Sequence, residues 1–197
     1  MKYITVYFKY GSIPLKSQRL TGNTNSRIIG GMWGGHAAIH VDNIVFSFRK
    51  NNIRFPLFPK RGGNHGAFRK EFFRDWMHNE MNACQYVAIK IPVTISQYTE
   101  LLYLANRYTE SQPFDYAFFG HRCASACYHI LAQIDVLQWH PRWLTILKNF
   151  CPRMLRNRVL KIAVKEQLPI AYHEGTTSRK WERPKLPKYS QLQFSII

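Results

Sequence analysis

Acidic residues are scarce in this chain: 11 Asp and Glu stand against 28 Lys and Arg over 197 residues, a formal charge of +17 at pH 7. A field of that size attracts polyanions of any kind, from nucleic acid to anionic lipid and acidic wall polymers, and selects none of them. The basic residues gather between Arg49 and Arg74 and between Arg142 and Lys165. No RNA-binding or zinc-finger signature accompanies them, so a solvated basic face is expected before a specific nucleic-acid site. Cysteine is also sparse. Cys84, Cys123, Cys127 and Cys151 follow no dense or regular spacing, which excludes a disulfide-stapled scaffold and makes reduced thiols the expectation. No apolar run is long enough to cross a bilayer. The stretch Met1 to Tyr10 is interrupted by Lys9 and lacks a small-residue cleavage site, so it reads as a strand rather than a signal peptide. The expected location is cytoplasmic, or outside the cell by a leaderless route. There is no internal repeat or low-complexity tract.

What remains is ample material for one packed domain, with 46% hydrophobic and 15% aromatic residues. Residues 2 to 8 alternate as a strand, and a polar loop rich in Ser, Thr, Asn and Gly runs from Gly11 to Gly31, where it is expected to border a site. A hairpin follows. Ala37, Ile39 and Val41 alternate with His36, Ala38 and His40, Asp42-Asn43 forms the turn, and Ile44, Phe46 and Phe48 resume the pattern. A two-residue turn puts Ala38 opposite Ser47 and His36 opposite Arg49. His36, His40, Ser47 and Arg49 then share one face, and the apolar residues fill the other. Residues 51 to 83 are basic, aromatic and glycine-rich, consistent with a loop carrying one short helix around Phe68 to Met77. Gln85 to Ile91 reads as a strand. Thr94 and Gln97 are spaced as a capping box ahead of a helix over Tyr98 to Tyr108. A second helix begins near Cys123 and runs to Ile134. Basic amphipathic segments follow over Trp143 to Phe150 and Arg153 to Val164, and the stretch from His173 to Ile197 reads as an arm or tail.

Cys123 is the candidate nucleophile. It follows Gly120, His121 and Arg122 at a helix start, where the dipole and neighbouring positive charge favour thiolate, and where free N–H groups supply part of an oxyanion hole. The competing reading is a small buried hydrophobe. His36 is the candidate base, against a strand-edge histidine satisfied by a backbone carbonyl. His40 competes on the same face but lies beside the turn. The run His121-x-Cys123-x3-Cys127-x-His129 has the look of a ligand cluster. On one helix, however, its histidines point away from its cysteines, so no metal and no cofactor are expected.

An early hairpin histidine followed by a helix-start cysteine after Phe114-Asp115-Tyr116 resembles the circularly permuted branch of the NlpC-type papain-like hydrolases. The nearest likeness is to the YiiX-like proteins, with lecithin retinol acyltransferase relatives more distant, and it spans about residues 34 to 135. It implies an α+β, permuted papain-like fold whose antiparallel sheet packs on the helix bearing the cysteine. A catalytic domain over 1–138 would carry a basic helical extension and tail over 139–197 packed on it. Cys123 would be the nucleophile, His36 the base, and Ser47 the orienting residue, where relatives usually carry Glu or His. Ala124-Ser125 stands where YiiX-like proteins have Ser-Glu. The implied activity is a cysteine-dependent amidohydrolase working through an acyl-enzyme, with a cell-wall peptide amide as favoured substrate. Two other readings stand beside it. One is a lipid or thioester acyltransferase or hydrolase with the same Cys-His pair. The other is a non-catalytic basic module for nucleic acid or anionic polymer and membrane surfaces. The hydrolase reading expects the Cys123 sulfur and a His36 ring nitrogen within roughly 4 Å of each other.

Overall fold

A computed structural model describes residues 1–14, 35–51, 56–81, 84–175 and 178–180. The polar loop between Gly11 and Gly31 and the tail beyond residue 180 lie, for most of their length, outside the described residues. The protein is α+β, built on a six-stranded sheet whose described strand pairs are all antiparallel. Its central strand β1 (Lys2–Tyr10) lies between β3 (Gly35–Val41) and β6 (Tyr86–Val93). On one side β4 (Ile44–Lys50) and β5 (Gly66–Phe72) extend the sheet, and on the other β7 (Ile170–His173) closes it. A separate ribbon pairs β2 (Ser12–Pro14) with β8 (Ser178–Lys180).

Period-two alternation on β1 sends Ile4, Val6, Phe8 and Tyr10 into the main core. Each such side chain contributes about 1.5–3 kcal/mol when taken fully out of water. That core is closed by α2 (Ile95–Ser111), α3 (Cys123–Gln133) and α5 (Pro152–Lys165). The short helix α4 (Arg142–Lys148) packs on α3. As the Thr94/Gln97 spacing predicts, the start of α2 is a capping box. Gln97 N–H donates to Thr94 Oγ1 at 3.1 Å, and Thr94 N–H donates to Gln97 Oε1 at 2.9 Å. The opposite sheet face is covered by α1 (Phe73–Trp76) and a π-helical turn, Met77–Met81, which bury Trp76 and Met81 against Ala38 and Val45.

The hairpin register holds as read: Val41 pairs with Ile44 and Ile39 with Phe46 across the Asp42-Asn43 turn, where Asp42 takes φ 52°. The helix expected over Phe68 to Met77 is displaced. Residues through Phe72 are β5, paired along β4 from Ile44↔Phe72 to Lys50↔Gly66, and the helix starts only at Phe73. Phe68 stacks on Phe46 and Phe48, with ring centroids at 5.1 and 4.7 Å, so packing within the sheet overrides its place in a polar, basic run. The C-terminal third is no separate layer. Leu155, Val159, Leu160 and Ala163 of α5 and Ile170 of β7 belong to the same core as β1.

Candidate active site

Helix α3 lies on β3 and β4, on the face carrying Ala37, Ile39, Val41, Phe46 and Phe48. Cys123 is its first residue, and the fold brings it against β3 at Ala37. The β3–β4 ladder ends at Ile39↔Phe46, two residues short of the position where the same register would set Ala37 opposite Phe48. At that position the Ala37 backbone N–H donates to the Cys123 sulfur. The thiol thus takes up a donor that the stopped ladder leaves over. Burial pushes the Cys123 thiol above its ordinary pKa. The Ala37 N–H, the Arg122 guanidinium and the Ala124 N–H pull the other way without cancelling it. Of these groups only the helix-start N–H and Arg122 are those expected from sequence; desolvation outweighs all three, and the resting group is a neutral thiol.

His36 is the neighbour of Ala37 on β3, and alternation turns its side chain to the other face of the strand, beside its cross-strand partner Lys9. Its Nε2 is buried and has no hydrogen-bond partner among the described residues. Burial, then the charges of Arg49 and Lys9, hold the imidazole well below its usual pKa. It is therefore neutral, able to accept a proton but weakly basic. No hydrogen bond joins His36 to Cys123 among the described residues, so the direct contact expected from sequence is absent from this conformation. The reason is geometric: helix and imidazole approach adjacent residues of one strand from its two faces.

Ser47 shares the His36 face, as the register predicts, but its Oγ accepts from Arg49 Nε at 3.2 Å and makes no described bond to the imidazole. The expected orienting role is thus not visible as a direct contact. Arg49 in turn pairs with Glu71 at 2.6 Å and Glu80 at 3.1 Å, while Lys9 donates to the Glu80 backbone carbonyl and meets its carboxylate at 3.4 Å. This network, not a single residue, surrounds His36. Lys9 was the legible trace of it, a lysine near the end of an apolar central strand and only 6% exposed. His40 lies by the turn, as expected, stacked on Phe73 at 4.0 Å with Nε2 2.6 Å from the Asp42 carbonyl.

The lead-in to Cys123 is built by Asp115 and Tyr116. Asp115 is buried and accepts from the Lys60 N–H at 2.9 Å, the His65 N–H at 3.0 Å and the His65 ring at 2.9 Å, fastening the 60–65 loop under α3. Burial alone would raise its pKa, but these donors outweigh it and hold the carboxyl below its ordinary value. Tyr116 stacks on Phe48 at 5.5 Å, and its phenol is pushed upward by burial first and then by its neighbour Cys123. His121 is fully buried and stacked on Phe114 at 3.8 Å, with neither ring nitrogen hydrogen-bonded among the described residues. Among the described residues no group of three or more His, Cys, Asp or Glu could hold a metal ion, and no helix is long and apolar enough to cross a membrane. Comparison with protein-family models, curated proteins and solved structures finds no match to this chain.

Proposed function

We propose that the protein is a cysteine-dependent amidohydrolase of the permuted papain-like, NlpC type, forming an acyl-enzyme on Cys123. The observation that carries this reading is the placement of the Cys123 thiol, at the start of α3, on the Ala37 N–H of β3, one residue along the strand from His36, whose buried Nε2 has no partner among the described residues. The thiol and the imidazole are both neutral but stand on opposite faces of β3, so general-base activation requires His36 to swing to the α3 face. His36 Nε2 takes the Sγ proton as the sulfur attacks the amide carbonyl carbon. Free N–H groups of the first turn of α3 bind the developing oxyanion. The C–N bond breaks as His36 returns the proton to the leaving amine. Water, deprotonated by His36, then cleaves the thioester and regenerates the thiol. The step requires the imidazole to reach the sulfur, and Nε2 has no described hydrogen bond to give up in doing so. A peptide amide of the cell-wall type is the substrate class that the resemblance favours.

Iodoacetamide labelling of the folded protein, read by peptide mapping, tests the site. All four thiols are buried and free, and activation by His36 should let Cys123 be alkylated ahead of Cys84, Cys127 and Cys151. The Cys127 thiol is pushed far upward by burial and by Cys123. His36→Ala should slow the Cys123 reaction. Equal labelling of all four thiols, or a rate indifferent to His36, would remove the basis for the reading.

A further inference from the structure

The thiol site leaves unused a contiguous run of exposed aromatic and aliphatic side chains at the α3 end of the fold. Backbone bonds from Phe118 to Pro56 and from Phe119 to Leu57 lay the 56–58 segment beside the turn that precedes α3. Phe58 stacks on Phe119 at 5.3 Å, Phe119 meets Phe118 at 4.9 Å, and Phe118 meets Phe150 at 5.1 Å. Trp143 and Leu147 stand four positions apart on one face of α4, which ends at Lys148, two residues before Phe150. Trp143, Leu147 and Phe58 are 63%, 56% and 61% exposed, so they are presented to solvent rather than folded inward.

The charged residues close in sequence to these side chains are of one sign: Lys60 and Arg61 follow Phe58, Arg122 follows Phe119, Arg142 and Lys148 flank Trp143 and Leu147, and residues 136–165 contain no Asp or Glu. Arg122 lies over Phe150 at 3.5 Å, inside the run itself. Asp115, three positions before Phe118, is buried and saturated by Lys60 and His65. Aromatic and leucine side chains standing out from a cationic surround match the two layers of an anionic bilayer face: acyl-headgroup boundary for the rings, headgroup charge for the cations. A single-stranded nucleic acid would use the rings and cations but has no use for Leu147 and Leu57, which offer no stacking face.

We infer that this surface docks the protein onto an anionic membrane, with Trp143, Leu147 and Phe119 entering the headgroup boundary and Lys60, Lys148 and Arg153 meeting lipid phosphates. The inference does not depend on the thiol chemistry. It is tested with the full chain and unilamellar vesicles of phosphatidylcholine alone or with 30% phosphatidylglycerol, by co-sedimentation and tryptophan fluorescence. Anionic vesicles should bind the protein with a blue shift of emission, and neutral ones should bind at least about tenfold more weakly. Trp143→Ser with Leu147→Ser, and separately Phe119→Ser, should weaken binding at least about tenfold with the unfolding midpoint kept. Lys148→Glu with Arg153→Glu, which spares every apolar residue, should do the same and keeps the test open if the apolar variants fold poorly. Vesicle binding that survives the apolar variants would overturn the inference, leaving only diffuse charge. So would loss of single-stranded oligonucleotide binding, rather than vesicle binding, in the Trp143/Leu147 variant. Conversion of a self-associated wild type to monomer by that variant, with no vesicle binding, would assign the surface to a second copy instead and overturn it too.

Discussion

Lowering the pH from 7.5 to 5.0 should strip stability from this fold through two histidines held neutral in its interior. His36 and His121 are both driven well below their ordinary pKa, His36 by burial, then Arg49 and Lys9, and His121 by burial, then Arg142 and His129. A base whose folded pKa is depressed stays unprotonated in the native state while the unfolded chain takes up its proton near pH 6.5, so stability falls as pH drops below that value. For a histidine that remains neutral when folded, the loss between pH 7.5 and 5.0 is about 2 kcal/mol, so these two give about 4 kcal/mol, to which His40 and His129, lowered less, add. Asp115 does not contribute in this window, because its depressed carboxyl titrates below the ordinary aspartate range. In a chain of this length about 4 kcal/mol corresponds to a fall in Tm of roughly 8–16 °C. Urea unfolding followed by tryptophan fluorescence at both pH values measures it. His121→Phe keeps a ring against Phe114 and removes both unbonded nitrogens, so it should remove about 2 kcal/mol of the acid-induced loss. A wild-type loss under about 1 kcal/mol, or a His121→Phe protein as acid-sensitive as the wild type, would refute the reasoning.

Other expectations rest on single contacts. Arg49→Met removes a cation that suppresses His36 protonation, so the acid limb of the Cys123 labelling-rate profile should move to higher pH. An unmoved limb would show that Arg49 does not act on the imidazole. Ser47→Ala, which loses a contact to Arg49 and not to the ring, should lower turnover by about tenfold, about 1.4 kcal/mol, where Cys123→Ala abolishes it. Asp115→Ala deprives the Lys60 and His65 donors of their acceptor and should cost about 3 kcal/mol in urea unfolding, with faster proteolysis in the 60–65 loop. Gly35→Ala should destabilise by more than about 2 kcal/mol, since φ there is +108° and a Cβ would stand 2.3 Å from the Lys9 carbonyl oxygen.

The parts of the fold written in local pattern were legible. The Thr94-x-x-Gln97 cap, the two-residue Asp42-Asn43 turn and the alternation over residues 36–48 each depend on residues close in sequence, and each is found with its expected register. What the alternation could not show is which face the helices cover. His36, Ser47 and Arg49 do share a face, but α3 chose the apolar one, and the contact it makes on β3 is with the backbone of Ala37. A backbone donor freed by a ladder that stops early leaves no residue-type signature. The environment of His36 was hidden for a similar reason: Glu80 and Glu71 come from segments 31 and 22 residues beyond Arg49, in a stretch whose basic, glycine-rich composition masked both β5 and the π-helical turn. β7 was likewise hidden, because its four residues become a strand only by pairing with β6.

The central claim is that Cys123 carries an acyl group transferred with the help of His36. Intact-protein and peptide mass spectrometry after brief exposure to an activated peptide ester, quenched in acid, measures this directly. The account predicts a single acyl adduct on Cys123, absent in Cys123→Ala and accumulating more slowly in His36→Ala, with wild-type adduct decaying in water to free thiol. An adduct on Cys84 or Cys151 instead, no adduct on a folded wild type, or equal acylation of Cys123 with and without His36 would contradict it.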